Sequence, residues 1–314
     1  MATDGAALTR ASAPSPATAG GVASPPGAAS APRATRPAGL AGRVGRSLRI
    51  VLPLVWVGLV LLLVATADLL PIPSPTHMDF ALADGGPSPG HLLGNDVDGR
   101  DILSRLAHGA RVSVVVSLAA PAIGLVLGTI LGLVAAFYAG AARMAVLAVL
   151  DAMLAFPGLV FALCLTTVLG QTLLNVTLAL GIMSVPAFAR IARANAMVLL
   201  NREFVLAART AGASNLYVLF REVLPNMTMS LITYALTVMS IMIVAEGSLS
   251  FLGVGIPPPA PSWGSMIAEG REALERAPHI CLIPAVTMFL TALSLNLIGD
   301  AVRQKTESKA GGLH

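Results

Sequence analysis

Few side chains in this sequence could do chemistry, and their spacing narrows what that chemistry is. Glu246 sits within an apolar run, where a carboxylate is costly and normally faces a cavity or a partner. It is therefore a candidate, with Ser250, for lining a path through a membrane. The competing expectation is a structural anchor, hydrogen-bonded to Ser248 or to a neighbouring helix. For Glu246→Gln, loss of the assembled complex would mark the anchor, and lower transport with assembly intact would mark the path. Asp101 and Arg105 are four apart and are expected to pair on a short helix, turning Ile102, Leu103 and Leu106 toward the membrane or a partner. His77, His91, His108 and His279 lack ligand spacing, so no metal site is expected. Cys164 and Cys281 lie in apolar runs without a CxxC pattern and are expected to pack as small hydrophobes. A P-loop needs a glycine-rich turn ending in lysine, and the only lysines are Lys305 and Lys309. No catalytic residue is assigned, and energy for any work must come from a partner.

The elements that hold these residues belong to a membrane. Of 314 residues 55% are hydrophobic and 11% charged, against about 25% charged in soluble domains. Mean hydropathy is +0.80. The net charge of +4 is not gathered on one polar face, which argues against nucleic acid. Residues 1–47 are rich in Ala, Pro, Ser, Thr and Gly and are expected to form a disordered cytoplasmic tail. The first apolar run begins only at Ile50, too late for a secretory signal.

A span needs about 20 apolar residues, so charge-free runs count spans. Ile50 to Ala67 is the first, within a helix expected at 48–70. Val112 to Ala142 holds the second. The stretch from Asp151 to Arg190 is too long for one helix and is expected to break at Gly170-Gln171-Thr172 into the third and fourth. Asn226 to Leu252 and Ile280 to Gly299 are the fifth and sixth. The expected fold is thus an all-α polytopic membrane protein with six transmembrane helices. An outer segment at 71–111 carries a short amphipathic helix, the core runs over 112–303, and a tail occupies 304–314. Placing both termini and 190–225 on one side gives that side 15 of the 20 basic residues, which assigns it to the cytoplasm. Gly124, Gly128 and Gly132 recur every four residues and should let a neighbouring helix approach closely, within the subunit in preference to between subunits.

Between the fourth and fifth spans lies the one long inner segment with helical pattern. Phe204, Leu206, Ala207, Ala208 and Ala211 share a face, and Gly212-Ala213-Ser214-Asn215 interrupts it before Leu216, Val218, Leu219 and Phe220. Two short helices joined at Gly212 are expected, with Asn215 capping the second and Pro225 in the first turn of the next span.

The stretch from Leu206 to Asn226 resembles the EAA loop of ABC importer permeases, through Ala207, Ala208, Gly212, Leu224 and Pro225. Leu206 stands where the motif has an acidic residue, and Glu203 is out of register with it. Leu93 to Asp96, Gly99 to Arg105, Gly109 to Arg111, Asp151 to Pro157, Ala245 to Gly253 and Pro261 to Gly264 are similar to stretches of the dipeptide, oligopeptide and nickel permeases, most of all the second, C-type subunit.

The resemblance implies a type I importer permease fold in the cell's inner membrane. It also implies alternating access, with dipeptides or oligopeptides delivered by an extracytoplasmic substrate-binding protein to loops 71–111 and 253–279. The implied partners are a second homologous permease and two ATPase subunits or domains, which hold the ATP and Mg; this chain binds no cofactor of its own. The coupling surface it implies comprises Glu203, Ala207, Ala208, Gly212, Ala213, Ser214, Leu216, Leu224 and Pro225. Nickel or another small ligand is the alternative cargo. An ion-driven secondary transporter is the alternative of another class, although no internal repeat supports it. An intramembrane enzyme would need paired His, Asp or Ser residues in spans, which are absent from the sequence.

Overall fold

A computed structural model describes residues 40–311, with side chains from 50 to 305. Ten α-helices are present among them: α1 (Leu40–Thr66), α2 (Ile102–Phe137), α3 (Ala141–Ala155), α4 (Gly158–Leu169), α5 (Leu173–Leu200), α6 (Glu203–Thr210), α7 (Asn215–Tyr217), α8 (Leu224–Phe251), α9 (Trp263–Gly270) and α10 (His279–Gly311). A π-helical segment, Val218–Val223, joins α7 to α8. Every apolar run expected to span is helical, but the spans are not six equal rods. Ile102–Phe137, Leu173–Leu200, Asn215–Phe251 and His279–Lys305 are each long and apolar enough to cross a membrane, while the described apolar part of α1, Ile50–Thr66, is shorter. The third expected span, from Asp151 to the break at Gly170, covers α4 and only the last residues of α3; the earlier part of α3, from Ala141, is helix before that span, and α3 and α4 meet at 93°. Phe156 precedes Pro157, whose ring disfavours helical backbone at the residue before it, and Phe156 is accordingly extended at φ −90° and ψ 137°. The break at Gly170 falls where expected, with φ +93°, and Thr172 caps α5 by accepting from the Asn175 N–H.

Three other boundaries differ from expectation. Helix α1 already starts at Leu40, inside the stretch read as a tail, of which residues 1–39 lie outside the described residues. Helix α10 continues to Gly311, so much of the 304–314 tail is a helical extension. The short amphipathic helix before the second span is not separate but forms the first turns of α2.

The expected Asp101–Arg105 pair does not form. Asp101 is the extended N-cap of α2, and its carboxylate accepts from the Ser104 N–H at 2.7 Å and meets His91 Nδ1 at 2.9 Å. Its side chain points into the opening turn and away from the helix flank, so four-residue spacing brings it no partner. Arg105 instead joins Asp96 and, at 2.7 Å, Glu269 of α9. Arg100 binds Asp96 and Glu269, each at 2.7 Å, so two buried arginines clamp the loop before α2 onto α9. Ile102 and Leu106 are consequently internal, packed with Trp263, whose indole N–H donates to the Leu106 carbonyl at 3.1 Å. At the end of α1 the Arg111 guanidinium holds the exposed Asp68 carboxyl below the usual carboxylate range.

Helices α2 and α5 form the central seam. Gly124, Gly128 and Gly132 face Ser184, Phe188, Val185, Ala189 and Ala192 of α5. A Cβ on Gly128 would lie 2.6 Å from Phe188 Cβ and 2.7 Å from the Val185 carbonyl oxygen. Absence of a side chain is thus what lets the two backbones touch, the close contact by which helices associate in lipid. Arg190 of α5 meets Asp151 of α3 at 2.9 Å on the exposed side of this pair.

Candidate functional site

The segment between α5 and α8 is built as a bracket with one face buried and one exposed. Glu203 lies in the first turn of α6, where a negative charge complements the helix dipole, and is exposed. The helix ends in a Schellman arrangement: the Gly212 N–H donates to Arg209 O and the Ala213 N–H to Ala208 O, each at 3.0 Å. Gly212 must then take φ +85°, which side chains rarely adopt, and a Cβ there would meet only open space. Ala208, Gly212 and Ala213 are therefore the closure of α6 as well as part of its surface. Ser214, rather than Asn215, caps the next helix by accepting from the Tyr217 N–H.

The second helix is not free-standing. It passes through the π segment into α8, with the Leu224 N–H donating to Leu219 O. Pro225 lies in the first turn of α8 and has no N–H to give the Arg221 carbonyl, and the wider π turn accommodates its ring. Residues 215–223 are thus one continuous helical path with α8.

Three valines hold the bracket. Val205, Val218 and Val223 are fully buried and pack with Leu133 of α2, Ala192 and Ala196 of α5 and Met227 of α8. Val205 was not among the residues singled out from the sequence, which gave the apolar face of α6 as Phe204, Leu206, Ala207, Ala208 and Ala211. That face points outward. Phe204, Leu206, Ala207, Ala211, Leu216 and Phe220 are all exposed, Leu216 at 64% and Phe220 at 63%. Leu224 is half-buried and Pro225 exposed. Val205 stands between Phe204 and Leu206, which are as apolar as it is, so nothing in its type or spacing marked it as the buried one.

Glu246 and Ser250 lie elsewhere, at the far end of α8, and both are buried. Glu246 is fully buried, accepting from Ser250 Oγ at 2.9 Å and from Ser113 Oγ of α2 at 3.1 Å. Ser250 Oγ also lies 3.4 Å from Ser262 Oγ, the N-cap of α9, and the Trp263 N–H donates to Ser113 Oγ. Beside this cluster α8 and α9 meet backbone to backbone at Gly247 and Gly264. The carboxylate thus ties α2, α8 and α9 together, and Ser248, expected as a partner, instead turns its hydroxyl back to Val244 O. Glu246→Ala should leave these hydroxyls around a void and reduce assembled protein severalfold in detergent gel filtration, at a cost of about 2–5 kcal/mol. Glu246→Gln keeps the volume and one acceptor but turns the other oxygen into a donor, so one of the two serine hydroxyls loses its acceptor and assembly should fall less than in Glu246→Ala.

Residues 124–309 match the family described as binding-protein-dependent transport system inner membrane component. This chain belongs to that family. It is a multi-pass inner-membrane permease of ABC importer type. The glutathione transport system permease protein GsiD of Pectobacterium atrosepticum is 38% identical over 254 residues, covering 80% of this chain and 84% of that one. The di/tripeptide transport system permease protein DppC of Pseudomonas aeruginosa is 41% identical over 242 residues, covering 76% and 80%. Among solved structures, a chain of the MetNI methionine ABC transporter in an inward-facing conformation superposes with a TM-score of 0.51 over 63% of this chain and 96% of its own, at 16% identity. That likeness shows the shared permease fold. Family membership removes the ion-driven secondary transporter.

Proposed function

We propose that this permease imports short peptides or peptide-like molecules delivered by a substrate-binding protein, and that the Glu203–Asn226 bracket is where ATPase subunits drive it. The observation that carries the coupling reading is the pairing of an exposed, small-residue and apolar face with three buried valines that fix it to α2, α5 and α8. A groove on a partner can close over Ala207, Ala211 and Gly212, and Leu216 and Phe220 offer it apolar anchors. Leu206 supplies no charge where relatives of the motif carry an acid, so docking rests on shape and burial of apolar surface. Because α7 runs unbroken through the π segment into α8, a push on Leu216 is a push on a spanning helix. The peptide class is supported by the names of relatives covering most of this chain, one for glutathione and one for di- and tripeptides. In this reading the bracket, the α2–α3 turn and both termini are cytoplasmic, consistent with the basic residues gathered there.

The test is reconstitution of this chain with its companion permease, ATPase subunits and binding protein in proteoliposomes. Uptake of a labelled dipeptide should require ATP and the binding protein together. Uptake by this chain alone under a proton or sodium gradient would overturn the reading.

A further inference from the structure

Helix α5 carries two arginines inside a span, and only one of them is neutralised. Arg190 and Arg193 both fall within the apolar stretch Leu173–Leu200. Arg190 meets Asp151 of α3 at 2.9 Å. Arg193 is half-buried, its Nε has no hydrogen-bond partner, and its guanidinium makes no ion pair or hydrogen bond with any described residue. A guanidinium in a span is tolerated only where an anion, a polar partner or water meets it. Between the two arginines and α3 lies a cavity of about 330 Å³, lined also by Leu147, Leu150, Asp151 and Met197. Its rim is open, since the Arg190 and Asp151 side chains are each more than half exposed. Asp151 is the acid of the lining and Arg190 already holds it, so the cavity carries a net positive charge.

We infer that this cavity binds the phosphate of an anionic phospholipid, in the leaflet on the bracket's side of the membrane, with Arg193 as its principal contact. Arg193 lies seven residues before the end of α5, about 10 Å along the helix, so its side chain can reach toward headgroup depth while its methylenes stay among apolar neighbours. A guanidinium offers its N–H donors in a planar fork that matches phosphate oxygens, and here none of them is used by a described residue. Leu147, Leu150 and Met197 set an apolar wall beside the charge, which suits the glycerol and first acyl carbons of a lipid and gives nothing to a free inorganic anion. Arg143 shares the face of Leu147 and Leu150 by register, one turn nearer the start of α3. It is exposed and also without a partner among the described residues, so it supplies a second cation for the same headgroup. A zwitterionic lipid brings an ammonium with its phosphate, and the unbalanced positive charge therefore selects an anionic one.

The choice of leaflet rests on the cytoplasmic orientation proposed above, and the site is tested apart from it. The complex of this chain with its companion permease and ATPase subunits is assembled in nanodiscs of phosphatidylglycerol and phosphatidylethanolamine, released, and its retained lipids are counted by native mass spectrometry. Arg193→Gln should lower the retained phosphatidylglycerol about tenfold in occupancy at one site and leave phosphatidylethanolamine unchanged, as the loss of charge-assisted hydrogen bonds predicts. Arg193→Lys keeps the charge and should retain most of the lipid, whereas Arg143→Gln should lose it severalfold. Arg202→Gln removes an exposed cation just beyond α5 and should change nothing. Equal retention in wild type and Arg193→Gln, or an equal loss in Arg202→Gln, overturns the site. Displacement of the lipid by inorganic phosphate makes it a site for free anions and overturns the lipid assignment. A photoreactive probe on Arg193→Cys that joins the companion permease and no lipid makes the cavity a subunit seam and overturns it as well. Orientation is read separately, with Cys164 and Cys281 replaced by serine: an impermeant maleimide should reach Ser214→Cys only in inverted vesicles. Reaction in right-side-out vesicles would overturn the orientation and move the lipid to the other leaflet, with the lipid count still deciding the site.

Discussion

Gly128→Leu is expected to remove most of the folded permease from the membrane fraction. The position allows no accommodation, because the first added carbon already lies 2.6 Å from Phe188 Cβ and 2.7 Å from a main-chain oxygen of α5. Phe188 is itself fully buried and edge-on to Tyr234, so it can yield only by moving a second ring. Ordinary overpacking costs about 1–3 kcal/mol, and separating two helix backbones along the principal seam costs more. Gly128→Ala, with one carbon, should be intermediate. Yield and thermal midpoint of detergent-purified protein measure both, and a Gly128→Leu protein with wild-type yield and midpoint would show that α2 and α5 do not pack as described.

Val205→Asp is expected to leave the spans assembled and abolish coupled uptake. The carboxylate would enter the cluster of Leu133, Ala192, Ala196 and Met227 with no cation among them, at a cost of several kcal/mol. Helix α6 has only eight residues and can detach locally for less than the price of unfolding the bundle. ATPase subunits would then meet a loose segment, so uptake should fall more than tenfold while yield and thermal midpoint stay near wild type. Equal loss of uptake and of assembled protein would instead make Val205 a determinant of the whole fold.

Sequence spacing revealed those features whose physics is local. Gly124, Gly128 and Gly132 announced a close helix contact because four-residue spacing keeps them on one face, and Gly212 announced a turn because its backbone conformation suits no other residue as well. Asp101 and Arg105 were misleading for a local reason as well: Asp101 is the cap of the helix and not a member of its flank. Ser250 and not Ser248 meets Glu246, since residues four apart share a helix face and residues two apart do not. Ser113, 133 positions away, and Glu269, 164 from Arg105, were beyond any spacing argument, because only the packing of α2 against α8 and α9 brings them in. The outward turn of the α6 apolar face was hidden for a different reason. A docking surface and a buried face have the same composition until the partner is removed.

The most direct test of the account is a site-specific cross-link from the bracket to the ATPase. In the assembled complex, with Cys164 and Cys281 replaced, Leu216→Cys carrying a short photoreactive group should join to an ATPase subunit. The link should stop dipeptide uptake while leaving this chain's own assembly unchanged, and the same probe at Leu52 should give no such product. If Leu216→Cys forms no ATPase adduct in a complex that is transporting, and Leu216→Asp imports dipeptide at the wild-type rate, the bracket is not the coupling surface.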